Sequence, residues 1–426
     1  MGDSIFRIRI QDKHDEHSWK VRAQLQQNRT LLEDDSSFHF EPEDFQRLKT
    51  LSLKDYGTYL GHALFQERLR DFFKSAFQSS QNLMKVALSV EVDDGDDAYQ
   101  LRSLHWERLC VPLDGSWQYL ALDGRLPFGY HVPMGNLDRQ YSPIQKSNLR
   151  GLIVIANPKD LNSQYELAPI DVETTVQGIR AAFGDIPCDI LANDCSDAVG
   201  LPTLGEVCDR LNSANPPYTL LHVISHGSID ARGNTILYWS DEQDRVEPIR
   251  GEYLVDRLRI AHNLPHLIFL CCCSSASYYG GLAQNLIQVL GTPTAIAMTD
   301  KVSIKTGLEL ARNFYPRLLK SGEVDVALQQ AAAPLAERPD ITVPCLFSYR
   351  INRSLFGIQD DIIGDKNYAV QIFASAASST DGRIDWSQYR PSQEKAIEPY
   401  KFLSYYETSD TNVFFWSRTL IRTTHY

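Results

Sequence analysis

An imidazole and a thiol, two groups with complementary acid–base chemistry, each end a short apolar run of this 426-residue chain. His226 closes the run that begins at Leu220, and Cys273 closes the run that begins at Leu267. A thiolate attacks a carbonyl carbon, but a free thiol is mostly protonated at neutral pH. A neighbouring imidazole accepts the thiol proton and later protonates the leaving group. The two residues therefore predict nucleophilic chemistry at a carbonyl, provided that the fold brings them together.

The residues beside this pair supply the other groups that the chemistry needs. An oxyanion that develops on the attacked carbonyl requires preorganised hydrogen-bond donors. Gly227 has no Cβ, so its backbone N–H can approach closely, and the N–H of Cys273 is a natural second donor. We therefore predict that the amides of Gly227 and Cys273 form the oxyanion hole.

Three consecutive cysteines, Cys271, Cys272 and Cys273, leave open which thiol is the nucleophile, and strand geometry shows only how their side chains are arranged. Residues alternate between the two faces of a strand. Cys271 is thus expected on the same face as Cys273 but one step deeper, and Cys272 on the opposite face. We predict that Cys271 and Cys272 are packing residues. His222, which shares a face with His226, is predicted to be a hydrogen-bonded core histidine.

The elements that must position the pair alternate between apolar runs and amphipathic stretches from Leu152 to Arg350. Continuously apolar runs are typical of strands that are buried on both faces, and the β-α-β order predicts a parallel sheet with helices on both sides. Ligands bind at the carboxyl ends of such strands. His226 and Cys273 both lie at such ends. The predicted strands are 152–156, 189–192, 219–225, 267–273, 294–298 and 345–349, and the predicted helices are 171–183, 203–211, 251–260, 282–290 and 304–319.

Several motifs resemble those of the CHAT peptidases, which are relatives of caspases and separases, over residues 57–350. The cysteine lies about 50 residues after the histidine, as in caspases, but the caspase Q-A-C-x-G signature is absent. The family strand ends apolar-x-x-Cys-x-Ser, which places the nucleophile at Cys273. The motifs that carry the resemblance are Ser225–Gly227, Phe269–Ser275, Gly281–Ala283, Thr299–Asp300, Phe314–Tyr315 with Leu318, Val326–Leu328 and Leu104–Leu109.

The resemblance implies an α/β caspase-like sheet flanked by helices and a division of the chain into parts. Residues 1–148 would form an N-terminal pseudo-caspase-like α/β half, and residues 149–352 the catalytic domain. In the first half, 54–77 reads as one helix, and 84–92 and 100–104 read as strands. Residues 353–397 have the composition of a linker. Residues 398–426 resemble the initial segment of a STAND-type NTPase, in truncated form, and no phosphate-binding G-x-x-x-x-G-K-[ST] loop is present.

The function that the resemblance implies is cleavage of a protein substrate by a cysteine endopeptidase, within a regulated signalling or defence pathway. We expect no metal or other cofactor, and a regulatory protein as a further partner. The formal charge of −12 argues against nucleic acid, because duplex binding depends on Lys and Arg at phosphates. No apolar stretch is long enough to span a membrane. Eight cysteines without a disulfide pattern indicate the cytoplasm.

Two questions remain open at the level of the sequence. Asp300 is a candidate for the pocket that receives the substrate side chain before the cut, where it would favour a basic residue. A helix N-cap or a salt bridge within a loop explains this aspartate equally well. The alternative function is that of a catalytically silent adaptor, in which the caspase fold serves as an interaction module of a signalling assembly.

Overall fold

Most of the apolar runs of the sequence become strands of one 13-stranded mixed sheet. The structure is a computed structural model and describes residues 4–356, apart from 16, 28–29, 82, 93–99, 134–143, 277–280 and 350–353; of residues 12 and 14 it describes the backbone alone. The predicted linker (353–397, apart from 354–356) and the predicted NTPase-like segment (398–426) lie outside the described residues.

The N-terminal half contributes strands at one end of this sheet and a small separate hairpin. Its helices are α1 (Pro42–Leu48), α2 (Leu53–Leu64) and α3 (Glu67–Ser79). The strands are β1 (Ser4–Asp15), β2 (Ser18–Gln27), β3 (Thr30–His39), β4 (Met84–Val90), β5 (Cys110–Leu113), β6 (Ser116–Tyr119) and β7 (Phe128–His131). Strands β5 and β6 form a two-stranded sheet of their own, and the order of the others in the large sheet is β7-β4-β1-β2-β3.

Two of the predictions for this half are wrong. The single helix predicted over 54–77 is two helices, because Phe65 leaves the helical conformation and packs its ring 5.0 Å from that of Phe73. The strand predicted over 100–104 is absent, and residues 100–102 are helical instead. Leu101 and Leu104 are both buried, and this spacing of three suits a helical turn rather than a strand.

The second half forms the part of the sheet that carries His226 and Cys273. Its strand order is β9-β8-β10-β13-β14-β15, parallel except for β15, which runs antiparallel to β14. Strand β10 continues past Ser225 and pairs antiparallel with β11, which pairs with β12. The strands are β8 (Gly151–Ile155), β9 (Cys188–Ala192), β10 (Leu220–Ile229), β11 (Thr235–Ser240), β12 (Val246–Arg250), β13 (Leu267–Cys272), β14 (Thr294–Met298) and β15 (Pro344–Ser348).

Helices cover both faces of this half, and the predicted α/β architecture is therefore confirmed. The helices are α4 (Leu161–Tyr165), α5 (Val172–Phe183), α6 (Leu204–Ser213), α7 (Gly251–Arg259), α8 (Leu282–Gln288), α9 (Ile304–Ser321) and α10 (Val324–Ala332). Alternate residues of β13 enter two different cores: Phe269 and Cys271 pack with α5, α9 and α10, whereas Leu270 and Cys272 pack with α6, α7 and α8.

The two halves share the sheet, because β15 pairs in parallel with β7 at Phe347 and Tyr130. The boundary that the sequence predicts near residue 148 stays a prediction.

Within the described ranges, none of the helices is both long and apolar enough to cross a bilayer.

His222 is a core residue, as predicted. Its side chain is fully buried on β10, and its Nδ1 lies 2.7 Å from the hydroxyl of Tyr315 on α9. Burial lowers the pKa of this imidazole to about 3, because the charged form would lose its hydration. The ring is consequently neutral in the folded protein at any pH above that value.

We expect His222 to make the folded protein less stable as the pH falls. The pKa of His222 is lower in the folded protein than in the unfolded chain, where it is about 6.5. The stability that the neutral ring contributes is therefore complete above pH 6.5. It is lost as the pH falls below that value, because the unfolded chain then takes up a proton that the folded protein does not. Chemical unfolding at several pH values between about pH 6 and pH 5 measures how the free energy of unfolding depends on pH. This slope should be about 1 kcal/mol per pH unit smaller in His222→Gln than in the unmodified chain. Identical slopes would contradict the buried, neutral state of His222.

Candidate active site

The parallel pairing of β10 with β13 brings the two predicted catalytic residues to neighbouring strand ends. Ser225 is the register partner of Cys272, so the next residues along the two strands are His226 and Cys273. Both strands are buried before this point, and their residues are apolar apart from His222 and Ser225 on β10. The predicted adjacency of the two strands is thus found in the structure.

The two side chains also lie on the same face of the sheet. Ile224 belongs to the core that packs against α5 and α9, and His226, two residues later on β10, shares its face. Cys273 is the first residue of the turn after β13, and its hydrogen-bond partner indicates its side. Its sulfur contacts the segment before α9, just as His226 contacts the segment before α5.

A backbone carbonyl sets the tautomer of His226. The Nε2 atom lies 2.7 Å from the carbonyl oxygen of Ala168. A carbonyl only accepts hydrogen bonds, so Nε2 carries the proton and donates it. In the neutral ring, Nδ1 is then left with a lone pair that is able to accept a proton. This is the protonation state that a general base requires.

The sulfur of Cys273 is held by the backbone of Val302. The Val302 N–H donates to Sγ at 3.5 Å, and the thiol lies 3.5 Å from the Val302 carbonyl oxygen, to which it donates. Among the contacts described, no hydrogen bond joins Sγ to the His226 ring. Catalytic hydrogen bonds often tighten only when a substrate binds. A thiolate would keep the contact with the Val302 N–H and lose the hydrogen bond that the thiol donates to the Val302 carbonyl oxygen.

The other two cysteines of the triplet are buried, in agreement with their predicted packing role. Burial and the neighbouring thiols raise the pKa of Cys271 well above its ordinary range. Burial likewise raises the pKa of Cys272 to about 12, although Ser225 donates a hydrogen bond to its sulfur at 3.2 Å. Cys273 is only partly buried. Of the three thiols, it is the one accessible to a substrate.

Gly227 lies directly against the backbone of Cys273. A Cβ atom built on Gly227 would stand 2.3 Å from the carbonyl oxygen of Cys273, closer than such contacts occur. The absence of a side chain therefore allows β10 to pass beside the turn after β13. The amides of these two residues, predicted to form the oxyanion hole, are brought to the same place; that role stays a prediction.

The turn after Cys273 is built from two serines. Ser274 has a left-handed φ of 56° and donates its N–H to the carbonyl oxygen of Asp300 at 3.1 Å. The Oγ of Ser275 is buried and accepts the N–H of Met298 at 2.9 Å. The turn is thereby fastened to the end of β14 and to the loop that follows.

Asp300 lies in this loop, 44% exposed, and forms a salt bridge with Arg108 of the N-terminal half. The Arg108 Nη2 atom donates to Oδ2 at 2.9 Å, and the N–H of Lys301 donates to Oδ1 at 2.7 Å. The N-cap of α9 is Ser303, so Asp300 is not the cap. The salt bridge is one of the roles that the sequence left open, and the predicted pocket role stays a prediction.

Sequence analysis did not identify Ala168, Val302 or Arg108 as parts of the site. Ala168 and Val302 act through backbone atoms, which leave no signature in residue type. The proline after Ala168 is a weak signal, because it favours an extended conformation in the residue before it. Arg108 belongs to the Leu104–Leu109 motif, but its charge alone does not reveal its partner.

We expect Gly227→Ala to displace the Cys273 turn. The new methyl would meet a backbone oxygen, which cannot rotate away, so the free energy of unfolding should fall by about 1–3 kcal/mol. The rate at which a thiol reagent modifies Cys273 should also change, because the turn that carries this residue is displaced. Chemical unfolding and site-resolved mass spectrometry measure the two effects.

The matched control is Gly205→Ala, in which the new methyl would have open space in the first turn of α6. This variant should be at least as stable as the unmodified chain. Equal effects of the two substitutions would contradict the close approach of Gly227 to Cys273.

Comparison with protein families agrees with the fold and with the motifs around the two strand ends. The model of the CHAT domain matches residues 96–420, well over half of the chain. No curated protein matches the sequence. The predicted resemblance is confirmed, and the chain belongs to the CHAT-domain family, which is associated with caspase-like cysteine peptidases.

Proposed function

We propose that this chain is a cysteine endopeptidase that cleaves a protein substrate with His226 and Cys273. The observation that carries the proposal is the position of an imidazole and an accessible thiol at adjacent strand ends, on one face of the sheet. The Ala168 carbonyl, by holding the proton of His226 on Nε2, leaves Nδ1 as the base. Membership of the CHAT family supports the same reaction class.

The proposed reaction begins with transfer of the Cys273 thiol proton to Nδ1 of His226. The sulfur then forms a bond to the scissile carbonyl carbon, and the oxyanion accepts hydrogen bonds from the amides of Gly227 and Cys273. As the tetrahedral intermediate collapses, the carbon–nitrogen bond breaks and the imidazolium gives its proton to the departing amine. Water, deprotonated by the same imidazole, hydrolyses the thioester and restores the thiol.

The broader parts of the proposal rest on the family resemblance and on the chemistry of the thiol. Cleavage would occur within a regulated signalling or defence pathway, under the control of a protein partner. A thiol nucleophile must stay reduced, so we place the activity in the cytoplasm. Asp300 is retained as a candidate for the pocket before the cut, although one of its oxygens already binds Arg108.

One observation favours the alternative of a catalytically silent adaptor. The sulfur of Cys273 contacts the backbone of Val302 rather than the imidazole, so the pair is not joined in this state. An adaptor would keep this arrangement permanently. An enzyme would bring the two groups together when substrate binds, and the two candidates therefore differ in their reaction with substrate-like electrophiles.

We expect the full chain to react with a peptide probe that carries an electrophile at the scissile position. Labelling should be lost in Cys273→Ala and should fall by about 10³-fold or more in rate in His226→Ala, since the members of a catalytic pair act as a unit. Cys272→Ala is the matched control, because its thiol is buried on the opposite face, and it should label normally.

Cleavage sites mapped by mass spectrometry in a proteome, with the unmodified chain compared against Cys273→Ala, would identify substrates. Sites that depend on Cys273 support the enzyme. Equal labelling of Cys273→Ala and the unmodified chain, together with no Cys273-dependent cleavage, would contradict the proposal and favour the adaptor.

A further inference from the structure

Two consecutive residues of the N-terminal half form hydrogen bonds with two consecutive residues of the proposed catalytic half. The hydroxyl of Thr299 donates to Oε1 of Glu107 at 2.8 Å, and Arg108 Nη2 donates to Oδ2 of Asp300 at 2.9 Å. Glu107 and Arg108 form a short 3-10 turn with Trp106. We call these two contacts, between Glu107–Arg108 and Thr299–Asp300, the polar clamp.

The polar clamp holds the loop that contacts the sulfur of Cys273. Asp300 accepts the N–H of Ser274 with its carbonyl oxygen at 3.1 Å, immediately after Cys273. Two residues later, the Val302 N–H donates to Sγ at 3.5 Å. A continuous set of hydrogen bonds therefore runs from the N-terminal half, through Thr299–Val302, to the proposed nucleophile.

The N-terminal side of the polar clamp is buried and electrostatically supported. Glu107 is fully buried, where it also accepts hydrogen bonds from His105 at 2.7 Å and from Tyr130 at 3.0 Å. Burial alone would raise the pKa of Glu107, but His105 and Arg108 outweigh it and lower the pKa. The carboxylate is therefore charged at neutral pH and is a strong acceptor for the Thr299 hydroxyl.

Arg108 is 12% exposed and packs over the ring of Tyr56, with 5.7 Å from its guanidinium carbon to the ring centre. Its Nε has no hydrogen-bond partner among the described residues, and Asp300 is its ion-pair partner there. A cation so placed has little alternative solvation, which favours retention of the contact with Asp300. Packing on Tyr56 limits how far the guanidinium can move.

We propose that Arg108 and Glu107 are positioning residues for Cys273. They hold the loop at Thr299–Val302 so that the N–H and the carbonyl oxygen of Val302 both contact the sulfur. The non-catalytic half would in this way set the reactivity of the thiol, and any partner that moves Glu107–Arg108 would change it. This role rests on the proposed function, in which Cys273 is the nucleophile. The ionisation of the Cys273 thiol is nevertheless measurable whether or not the chain cleaves peptides.

The test is the pH dependence of the alkylation of Cys273 by iodoacetamide, followed by site-resolved mass spectrometry in the full chain. In Arg108→Gln, the midpoint should shift by roughly half a unit to one unit, because the sulfur loses its contacts with the Val302 backbone. A small reagent needs no substrate pocket, so the midpoint reports the thiol itself. The substitution leaves unchanged the other titratable and charged side chains on the elements around the sulfur. These are His226 on β10, Cys271 and Cys272 on β13, Asp300 and Lys301 in the loop, and Asp340, which accepts the N–H of Ser303.

Two further variants separate positioning from general destabilisation. Arg108→Lys should keep the midpoint near that of the unmodified chain, because the contact is a single hydrogen bond that an ammonium group can replace. Thr299→Val removes the Glu107 contact with little change of shape and should shift the midpoint in the same direction as Arg108→Gln. Arg125→Gln is the control, since it removes the salt bridges to Asp114 and Asp123 in the same half but none to the loop.

Midpoints in Arg108→Gln and Thr299→Val equal to that of Arg125→Gln would overturn the inference, even if the chain cleaves protein. A shift in both variants, in a chain that cleaves no substrate, would support the polar clamp and count against the proposed function. The positioning role of the polar clamp and the proposed peptidase function would therefore be contradicted by different results.

Discussion

The parallel register of β10 and β13 is the constraint on which the candidate site depends. It aligns Ser225 with Cys272, so that the next residue of each strand, an imidazole in one and a thiol in the other, emerges at the same edge of the sheet. A slip of one residue would turn one of the two side chains to the opposite face. Continuous burial of both strands, with different helices packed on each side, resists such a slip.

Backbone atoms, more than side chains, control the state of the two reactive groups. The Ala168 carbonyl fixes the proton of His226 on Nε2, and the Val302 amide donates to the sulfur of Cys273. Both segments precede helices of the same face, α5 and α9. The packing of these two helices on the sheet therefore determines the position of both contacts, and the N-terminal half reaches one of them through Arg108 and Asp300.

The sequence predicted the elements of the second half well and those of the N-terminal half poorly, for identifiable reasons. Buried parallel strands such as 267–272 are continuous apolar runs with few alternative structures. The long strands β1 to β3 were not predicted, although β1 and β2 alternate apolar and polar residues as half-buried strands do. Strand β3 is mostly polar and exposed, so it carries little such signal. The choice of Cys273 within the triplet came from the family motif, and strand alternation added only that Cys271 lies deeper on the same face and Cys272 on the other. The contacts of Ala168, Val302 and Arg108 depend on tertiary packing, which no local pattern encodes.

A structure of the full chain with a covalently bound peptide electrophile would show whether His226 and Cys273 act on one bound peptide. We expect a bond to Sγ of Cys273, with Nδ1 of His226 within hydrogen-bond reach of the reacting group and Nε2 still on the Ala168 carbonyl. An adduct on another cysteine, or an imidazole that stays out of reach of the adduct at Cys273, would contradict it.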